Sequence, residues 1–445
     1  MAATDTCFEE PPVLNRLRAS KTMTAVTLVL ALSPGVSAWS QTAPAAAPSF
    51  PPGADYAGVA GSHAENERIN ALCGANRNAK DGYFAKPLMA DQARAPQVKS
   101  KQAFGVEVVA TLDRSVGLAV LPDGSMLVSQ RAGGLRMVSA KGVVSAPLKG
   151  TPDVAGVMGT SNTGPVLSPD FAKSRVLYYG YTAAPPAKGE PFVGRIVKAR
   201  LSADGASLED AKTIFEQPFL TPRRIVQAKD GTLLIASAEV ASGGPNPQSM
   251  SDPRGKVLRI NADGSIPKDH PFAKTAGANP ALYALGFRDI QGAALDPKTG
   301  SLWVGENEPM GGDELNVIKA GGNYGFPIIS YGRNNNGTLM NDGKTTQDGL
   351  QQPVYFWTPS IAPSGLAIYD GKAFPAWKGD VFVGGMSGRQ LVRLEMKNGH
   401  VVGEEKLLMD RCKRTKDVSQ GPDGLIYVIT DESPSEILRI VPAKK

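Results

Sequence analysis

The 445-residue sequence predicts an all-β protein, specifically a six-bladed β-propeller. Six turns of the Pro-Asp-Gly kind recur along the chain, and a short apolar strand follows each of them. Asp and Gly supply the backbone angles of tight turns, while β-branched and aromatic residues favour the strands. Helical periodicity is nearly absent. Such a unit cannot bury its faces alone, and six stacked units fit a propeller better than a sandwich.

The six turn-and-strand units are spread along the chain from residue 121 onward. In order they read LPDGSMLVSQ, LSPDFAKSRVLYYGYT, AKDGTLLIASAE, LDPKTGSLWVGENE, FPAWKGDVFVGG and GPDGLIYVIT. Further strands that end in hairpin turns lie between them, namely GGLRMVSAKG, VGRIVKARLSADG, GKVLRINADG and QLVRLEMKNG. The six units fit six blades, so we assign the propeller to residues 104–445.

The N-terminus has the features of a signal peptide covering residues 1–38. Basic residues precede an apolar run at 23–36, which ends in the small-residue triplet Val-Ser-Ala at 36–38. This run is too short and too interrupted to span a membrane. We therefore expect a periplasmic or secreted protein with no integral membrane span after cleavage of the signal peptide. Translation would start at either Met1 or Met23, and the sequence leaves both open.

Residues 39–103 form an Ala/Pro-rich linker and N-terminal extension, which we expect to hold at most local structure. Cys73 in this extension and Cys412 near the C-terminus remain after loss of the leader. In an oxidising compartment they either pair or stay as two free thiols, and the sequence leaves both possibilities open.

The charge pattern argues against a nucleic-acid partner. The formal net charge is +6, and the Lys and Arg residues are scattered instead of interleaved with aromatics. The chain has three histidines and no CxxC motif, so no zinc site is predicted.

One stretch combines an arginine, several acidic residues and a Pro-Met-Gly-Gly bend around a single strand. It reads LGFRDIQGAALDPKTGSLWVGENEPMGGDELN, residues 285–316. Together with GGNYGFPIISYG, TPSIAPSGLAIY, FPAWKGDVFVGG and RTKDVSQGPDGLIYVITDE, it resembles the soluble quinoprotein sugar dehydrogenases. These are the glucose/sorbosone or aldose sugar dehydrogenases that use pyrroloquinoline quinone (PQQ). The resemblance runs from about residue 106 to residue 442.

The resemblance implies a quinone-dependent oxidoreductase. Family members hold PQQ and Ca²⁺ on top of the propeller and oxidise an aldose to a lactone by hydride transfer. An electron acceptor then serves as the second partner. The cofactor carries the redox chemistry, while the protein supplies cations for its carboxylates, oxygen ligands for the metal, and a base.

Five residues correspond to cofactor-binding positions of the family. Arg288 is retained from a Gly-His-Arg-Asn pattern in which Asp289 replaces the asparagine, and Tyr324 matches a family tyrosine. Arg414 and Lys416 match an Arg-x-Arg pair. Other interpretations stay open, because Arg288, Arg414 and Lys416 are also compatible with a solvated face and Tyr324 with blade packing.

The calcium position of the family maps to Glu308 and Pro309, whose backbone carbonyls would be the ligands, with Asp313 and Glu314 beside the ion. The change from glycine to Glu308 leaves such a carbonyl site possible. The two acids are equally compatible with a simple tight turn.

The catalytic base is the main departure from the family. Leu220 stands where a histidine is expected, and leucine cannot accept a proton. Asp289 and Glu308 are the replacement candidates, on the expectation that burial raises their pKa values. Two alternative functions follow: a catalytically lapsed propeller that binds calcium or another ligand, and a calcium-dependent lactonase-like hydrolase.

Overall fold

The computed structural model describes residues 95–152, 154, 162–185, 187–188, 190–239, 247–334, 338–358 and 360–443. The predicted signal peptide, most of the linker and Cys73 lie outside these residues. Cys412 is disulfide-bonded. In the described part of the chain, no helix has the length and apolar character needed to cross a membrane.

The described residues form six antiparallel sheets of four strands each, and the prediction of a six-bladed propeller is confirmed. The strands of the first three blades, preceded by β1, are β1 (Phe104–Leu112), β2 (Ser115–Val120), β3 (Met126–Gln130), β4 (Leu135–Val138), β5 (Val144–Pro147), β6 (Val166–Leu167), β7 (Val176–Ala183), β8 (Val193–Leu201), β9 (Leu208–Pro218), β10 (Pro222–Gln227), β11 (Leu233–Ser237), β12 (Lys256–Ile260) and β13 (Leu282–Leu285).

The last three blades repeat this arrangement. Their strands are β14 (Ile290–Leu295), β15 (Leu302–Glu306), β16 (Asp313–Val317), β17 (Tyr355–Trp357), β18 (Pro363–Ile368), β19 (Val381–Gly385), β20 (Gln390–Lys397), β21 (His400–Leu407), β22 (Thr415–Gln420), β23 (Ile426–Thr430) and β24 (Ser435–Pro442). The helices are short: α1 (Phe171–Ser174) and the 3₁₀ turns Met340–Gly343, Pro375–Trp377 and Met409–Arg411.

The ring closes through strand β1, which pairs with β24 and completes the sixth blade. The register runs from Phe104 opposite Pro442 to Leu112 opposite Ser435. This pairing protects the outer edge of the last blade and ties the two ends of the propeller domain together.

Hydrophobic clusters fill the interfaces between consecutive blades. Leu127 and Leu177 pack between the first two blades, and Val128 packs with Ile429 where the last blade meets the first. The sheets therefore bury both faces, as stacked repeats must.

Glycines let the innermost strands of neighbouring blades approach closely. A Cβ at Gly292 would lie 2.2 Å from the Ser364 carbonyl oxygen, and one at Gly365 would lie 2.3 Å from the Val418 nitrogen. No side chain fits these positions, which fixes the width of the central channel.

The end of the N-terminal extension packs against the fifth blade. Gln97 forms a parallel bridge with Glu404, and the Val98 amide donates to the Glu404 carbonyl at 2.9 Å. The Tyr355 hydroxyl accepts from the Ala95 amide at 3.1 Å and donates to the Glu404 carboxylate at 2.8 Å. Residues 95–103 thus go beyond the purely local structure expected from their composition.

Candidate functional site

Chain topology places the predicted site residues at one end of the propeller. In a four-stranded meander, the start of the first strand and the loop from the second to the third strand lie at the same end. Arg288 and Asp289 precede β14, Arg414 precedes β22, and Glu308 and Pro309 lie in the loop from β15 to β16. These segments share one end of the ring, which we call the site face.

The innermost strands carry β-bulges where they reach the site face. The strand register shifts between Pro222 and Arg224, between Ile290 and Gly292, and between Thr415 and Asp417. The bulged residues are therefore Arg223, Gln291 and Lys416. A bulge re-aims its side chain relative to the regular pleat.

These three bulged residues meet in one polar network around Asp289. Arg223 Nε lies 3.1 Å from Asp289 Oδ1, and Gln291 Nε2 donates to Asp289 Oδ2 at 2.8 Å. Lys416 Nζ donates to Gln291 Oε1 at 3.2 Å. Arg223 and Gln291 were not identified from the sequence, because a bulge has no local sequence signal. Arg223 was visible only as part of the run LTPRR.

The electrostatics of this network set the charge states of its members. Burial pushes the pKa of Asp289 upward, but Arg223 and Arg288 outweigh it, and the pKa lies below its usual value. The expectation that burial raises the pKa of Asp289 is therefore wrong. Burial lowers the pKa of Lys416 to about 8, so this lysine loses its proton more readily than an exposed one.

A second ion pair connects the network to the central channel. Arg224 Nη1 lies 2.8 Å from Asp417 Oδ1, and Asp417 Oδ2 accepts from the Leu118 amide at 3.0 Å. Residues from all six innermost strands line a cavity of about 120 Å³ here, Arg224 and Asp417 among them. The cavity is too small for a sugar and has room for a few waters.

Arg288 and Arg414 occupy similar positions in their blades. The Arg288 amide donates to Glu306 Oε2 at 2.9 Å, and its guanidinium Nη1 donates to the Asn307 carbonyl at 2.7 Å. The Arg414 amide donates to Glu432 at 2.8 Å, and Nε donates to Asp431 at 3.2 Å. Each backbone is thus held by a glutamate at or just after the end of the second strand of its blade, while the partly exposed guanidinium stays at the site face.

The loop from β15 to β16 is held together by buried carboxylates. Asp313 Oδ1 accepts from the Glu308 amide at 2.9 Å, and Oδ2 accepts from Ser360 Oγ and the amides of Ile361 and Ala362 at 2.8–3.0 Å. Burial outweighs these bonds and raises the pKa of Asp313 to about 6. Because its oxygens are occupied, Asp313 fixes the loop and has little capacity left to ligate an ion directly.

Three further buried glutamates, Glu306, Glu308 and Glu314, lie in this loop or in the strand ends beside it. Asn316 Nδ2 donates to Glu306 at 3.1 Å and to Glu314 at 3.0 Å, and Ser330 Oγ donates to Glu308. Burial and mutual repulsion raise the pKa values of Glu306 and Glu308 well above the usual range, and burial raises that of Glu314 to about 8. With a pKa of about 8, Glu314 is mostly protonated at pH 7.

Tyr324 and Leu220 both lie inside the blades. The Tyr324 ring stacks on Phe287 at 4.7 Å, and its hydroxyl donates to the Val317 carbonyl at 2.6 Å. Leu220 is fully buried in the cluster between the second and third blades. At this position the fold has an apolar packing residue where the family resemblance implies a proton acceptor.

The residues at the site face fit the donor types that the resemblance implies. Arg288, Arg414 and Lys416 are cations suited to an anionic cofactor; the two arginines are partly exposed and Lys416 is buried. The backbone carbonyls of Glu308 and Pro309 are oxygen ligands of the kind that calcium prefers. The described residues contain no group of three or more Asp, Glu, His or Cys side chains arranged to hold a metal ion.

Comparison with known proteins adds independent information. Residues 112–439 match the family model described as glucose/sorbosone dehydrogenase. The chain is 37% identical to the aldose sugar dehydrogenase YliI of Escherichia coli over 340 residues, which covers 74% of this chain and 91% of that protein.

Solved structures show the same similarity. The apo crystal structure of the soluble E. coli aldose sugar dehydrogenase superimposes with a TM-score of 0.72 at 35% identity, covering 76% of this chain and all of that one. The PQQ-bound aldose sugar dehydrogenase of Streptomyces coelicolor superimposes with a TM-score of 0.60 at 28% identity, covering 78% and 99% of the two chains.

Proposed function

Because the chain belongs to the glucose/sorbosone dehydrogenase family, we propose that it is a PQQ-dependent aldose sugar dehydrogenase that works after export, in the periplasm or outside the cell. The observation that carries this proposal is the set of cations at the site face, the partly exposed Arg288 and Arg414 with the buried Lys416 beneath them in the Asp289 network. They supply positive charge where an anionic cofactor would bind. The signal-peptide features of residues 1–38 support export.

The cofactor and the metal would be held by different chemical groups. Arg288 and Arg414 present guanidinium groups to carboxylates, and the Glu308 and Pro309 carbonyls would hold Ca²⁺. When bound, PQQ supplies the acceptor for the hydride that leaves the anomeric carbon as the sugar becomes a lactone, and calcium acts as a Lewis acid beside it. A separate electron acceptor is then required for turnover.

Asp289 is the better of the two candidates for taking the sugar hydroxyl proton. A proton acceptor must be deprotonated at the working pH. The cations around Asp289 keep it ionised, and its side chain is 14% exposed at the site face. Glu308 is buried and bonded to Ser330, and burial together with the neighbouring Glu314 and Glu306 raises its pKa well above the usual range. Glu308 is thus better suited to shaping the metal loop than to accepting a proton.

Titration of the full chain with Ca²⁺ and PQQ, followed by absorbance and by dye reduction with a panel of sugars, tests this proposal. We expect stoichiometric binding and turnover of at least one aldose. The Asp289→Asn variant should lose roughly 10²–10⁴-fold in kcat with a smaller change in cofactor affinity. Glu308→Gln is the matched control and should change kcat by less than about tenfold. Absence of quinone binding would exclude the proposal.

A binding protein without turnover is the second candidate, favoured by the burial of Leu220 at the position where the family has its base. In this case calorimetry should show tight binding of PQQ or of calcium, with no dye reduction across the sugar panel. The Asp289→Asn variant would then bind the ligand as the wild type does and, like the wild type, reduce no dye.

A further inference from the structure

A large pocket lies beside the site face at the junction of the second and third blades. Its volume is about 570 Å³, and it is lined by the end of β9 and the residue after it, by the loop before β12, and by the residues before β13. These segments are residues 217–219, 249–253 and 277–280. Ligand pockets usually span about 300–1,000 Å³, so the pocket has room for one or two sugar rings.

Phe219 forms an aromatic surface in this pocket. The residue is 39% exposed, although its ring packs edge-on against Phe192 at a centroid distance of 6.0 Å. Its backbone has φ of 63°, a left-handed conformation that is unusual for a bulky residue. The Phe219 amide donates to the Phe192 carbonyl at 2.9 Å and holds this conformation. Strained residues of this type concentrate at binding sites.

A buried ion pair supports the aromatic ring. The Arg254 guanidinium lies 4.6 Å from the Phe219 ring centroid, and Asp252 holds it through two bonds of 2.9 Å. Arg254 is almost completely buried. Because the pair is neutral overall, the pocket favours an uncharged polar ligand over an anion or a cation.

Two amide side chains complete the polar edge of the pocket. Gln217 and Asn279 bond to each other in both directions, at 3.1 and 2.9 Å, and Asn279 also accepts from the Ala281 amide at 3.0 Å. Fixed amides, a carboxylate and an aromatic face match the two kinds of surface on a pyranose. Its C–H face packs on the ring, and its hydroxyls pair with the amides.

The segments that line the pocket lead directly into residues of the site face. Phe219 is followed by Leu220 and then by β10, whose Arg223 bonds to Asp289. On the other side, Gly255 packs so closely against the Phe287 carbonyl that a Cβ would lie 2.2 Å from its oxygen. Phe287 directly precedes Arg288.

From this arrangement we propose that the pocket around Phe219 binds a pyranose residue of an oligosaccharide substrate, while the reducing end of that substrate reaches the site face. The proposal rests on the sugar dehydrogenase function and adds a substrate class to it. Longer saccharides gain binding energy in this pocket that a monosaccharide cannot reach.

Binding can be measured without turnover by calorimetry on the full chain with maltotriitol and cellotriitol, two trisaccharides whose reducing ends are alditols. We expect at least one of them to bind, and Phe219→Ala to weaken that binding more than tenfold. Gln217→Ala provides a second variant that keeps the backbone at Phe219. Val402→Ala, at an exposed apolar position of the fifth blade, is the control and should bind like the wild type.

Kinetics form the second arm of the test. With trisaccharides that have free reducing ends, Phe219→Ala should raise KM about tenfold at nearly constant kcat, while glucose kinetics change less than twofold. Binding of neither alditol, or equal binding by wild type and both pocket variants, would overturn the proposal. If no sugar is oxidised, the sugar dehydrogenase function fails, while the calorimetric arm still decides whether the pocket binds saccharides.

Discussion

Arg223 Nε lies 3.1 Å from Asp289 Oδ1, and this contact joins the first strands of the third and fourth blades at the site face. The two side chains are only 8% and 14% exposed. The family pattern that this stretch resembles has asparagine at the position of Asp289. An arginine on the bulge of one strand and an aspartate before the next therefore form a charged pair at this point.

The pair contributes to stability mainly because either partner alone would be a poorly solvated charge. Removing one partner of a buried pair costs about 3–5 kcal/mol, so for this slightly exposed pair we expect Arg223→Met to cost about 2–4 kcal/mol in urea unfolding. The double variant Arg223→Met/Asp289→Asn should regain part of that loss. Arg195→Met breaks the exposed pair with Glu216 and should cost about 0–1 kcal/mol. Equal losses for both single variants would contradict this account.

The same pair sets the pH dependence of turnover if Asp289 accepts the proton. Its pKa is lowered from 3.8, so the carboxylate is already formed throughout the mildly acidic range. For the quinone-loaded protein, we expect no acid limb in kcat/KM between about pH 5 and 7. Arg223→Met should move the limb upward into the measurable range. A limb near the usual histidine pKa of about 6.5 in the wild type would point to a different base.

The repeated turns carried the fold prediction, since the strands after them became β3, β7, β11, β15, β19 and β23. The innermost strands were not individually recognised. Strands such as Ser115–Val120 are short, buried on both faces and rich in small residues. Closure of the ring by β1 was also missed, because it pairs residues more than 300 positions apart and leaves no local pattern.

The site was predictable in position but only partly in chemistry. The cation positions Arg288 and Arg414 follow from the resemblance to the family's motifs, and the structure brings both to the site face. The charge states depend on burial and on partners from other blades. Asp289 is ionised because Arg223 reaches it from the neighbouring blade, and the sequence does not specify that contact.

Glu314 makes stability depend on pH. Burial raises its pKa from 4.5 to about 8 in the folded protein. Between these values the unfolded chain has released the proton and the folded chain has kept it, so stability falls as the pH rises through this window. Glu314→Gln removes this contribution. The free energy of unfolding of the variant minus that of the wild type should therefore increase steadily from pH 5 to pH 8 and level off above about pH 8.

Urea unfolding at each pH measures this difference. The control is Glu190→Gln at an exposed position, which should show a constant difference near zero over the same range. A flat difference for Glu314→Gln would show that the carboxyl group is ionised at neutral pH in the folded state.

Gly365 tests the close approach of the innermost strands. Its missing Cβ would lie 2.3 Å from the Val418 nitrogen and 2.5 Å from the Asp417 Cα, and neither backbone atom can move without opening the ring. We expect Gly365→Ala to cost about 2–3 kcal/mol, at the upper end of overpacking effects. Gly305→Ala is the matched control, because its Cβ would meet only the Pro363 Cβ at 3.9 Å. Thermal unfolding should separate the two variants, and similar melting temperatures would contradict this prediction.

Tyr355 tests whether the segment before the first strand is part of the folded unit. Its hydroxyl connects the Ala95 amide to the carboxylate of Glu404, which also accepts from Trp357 Nε1 at 3.1 Å. Tyr355→Phe leaves a buried acceptor and a buried amide with fewer partners, so we expect a loss of about 1–3 kcal/mol. The Val98 amide donates to the Glu404 carbonyl, so hydrogen exchange at Val98 should accelerate in the same variant. The control Tyr283→Phe alters a half-buried tyrosine beside Arg259 and should leave exchange at Val98 unchanged. If Tyr355→Phe also left it unchanged, residues 95–103 would be held independently of this hydroxyl.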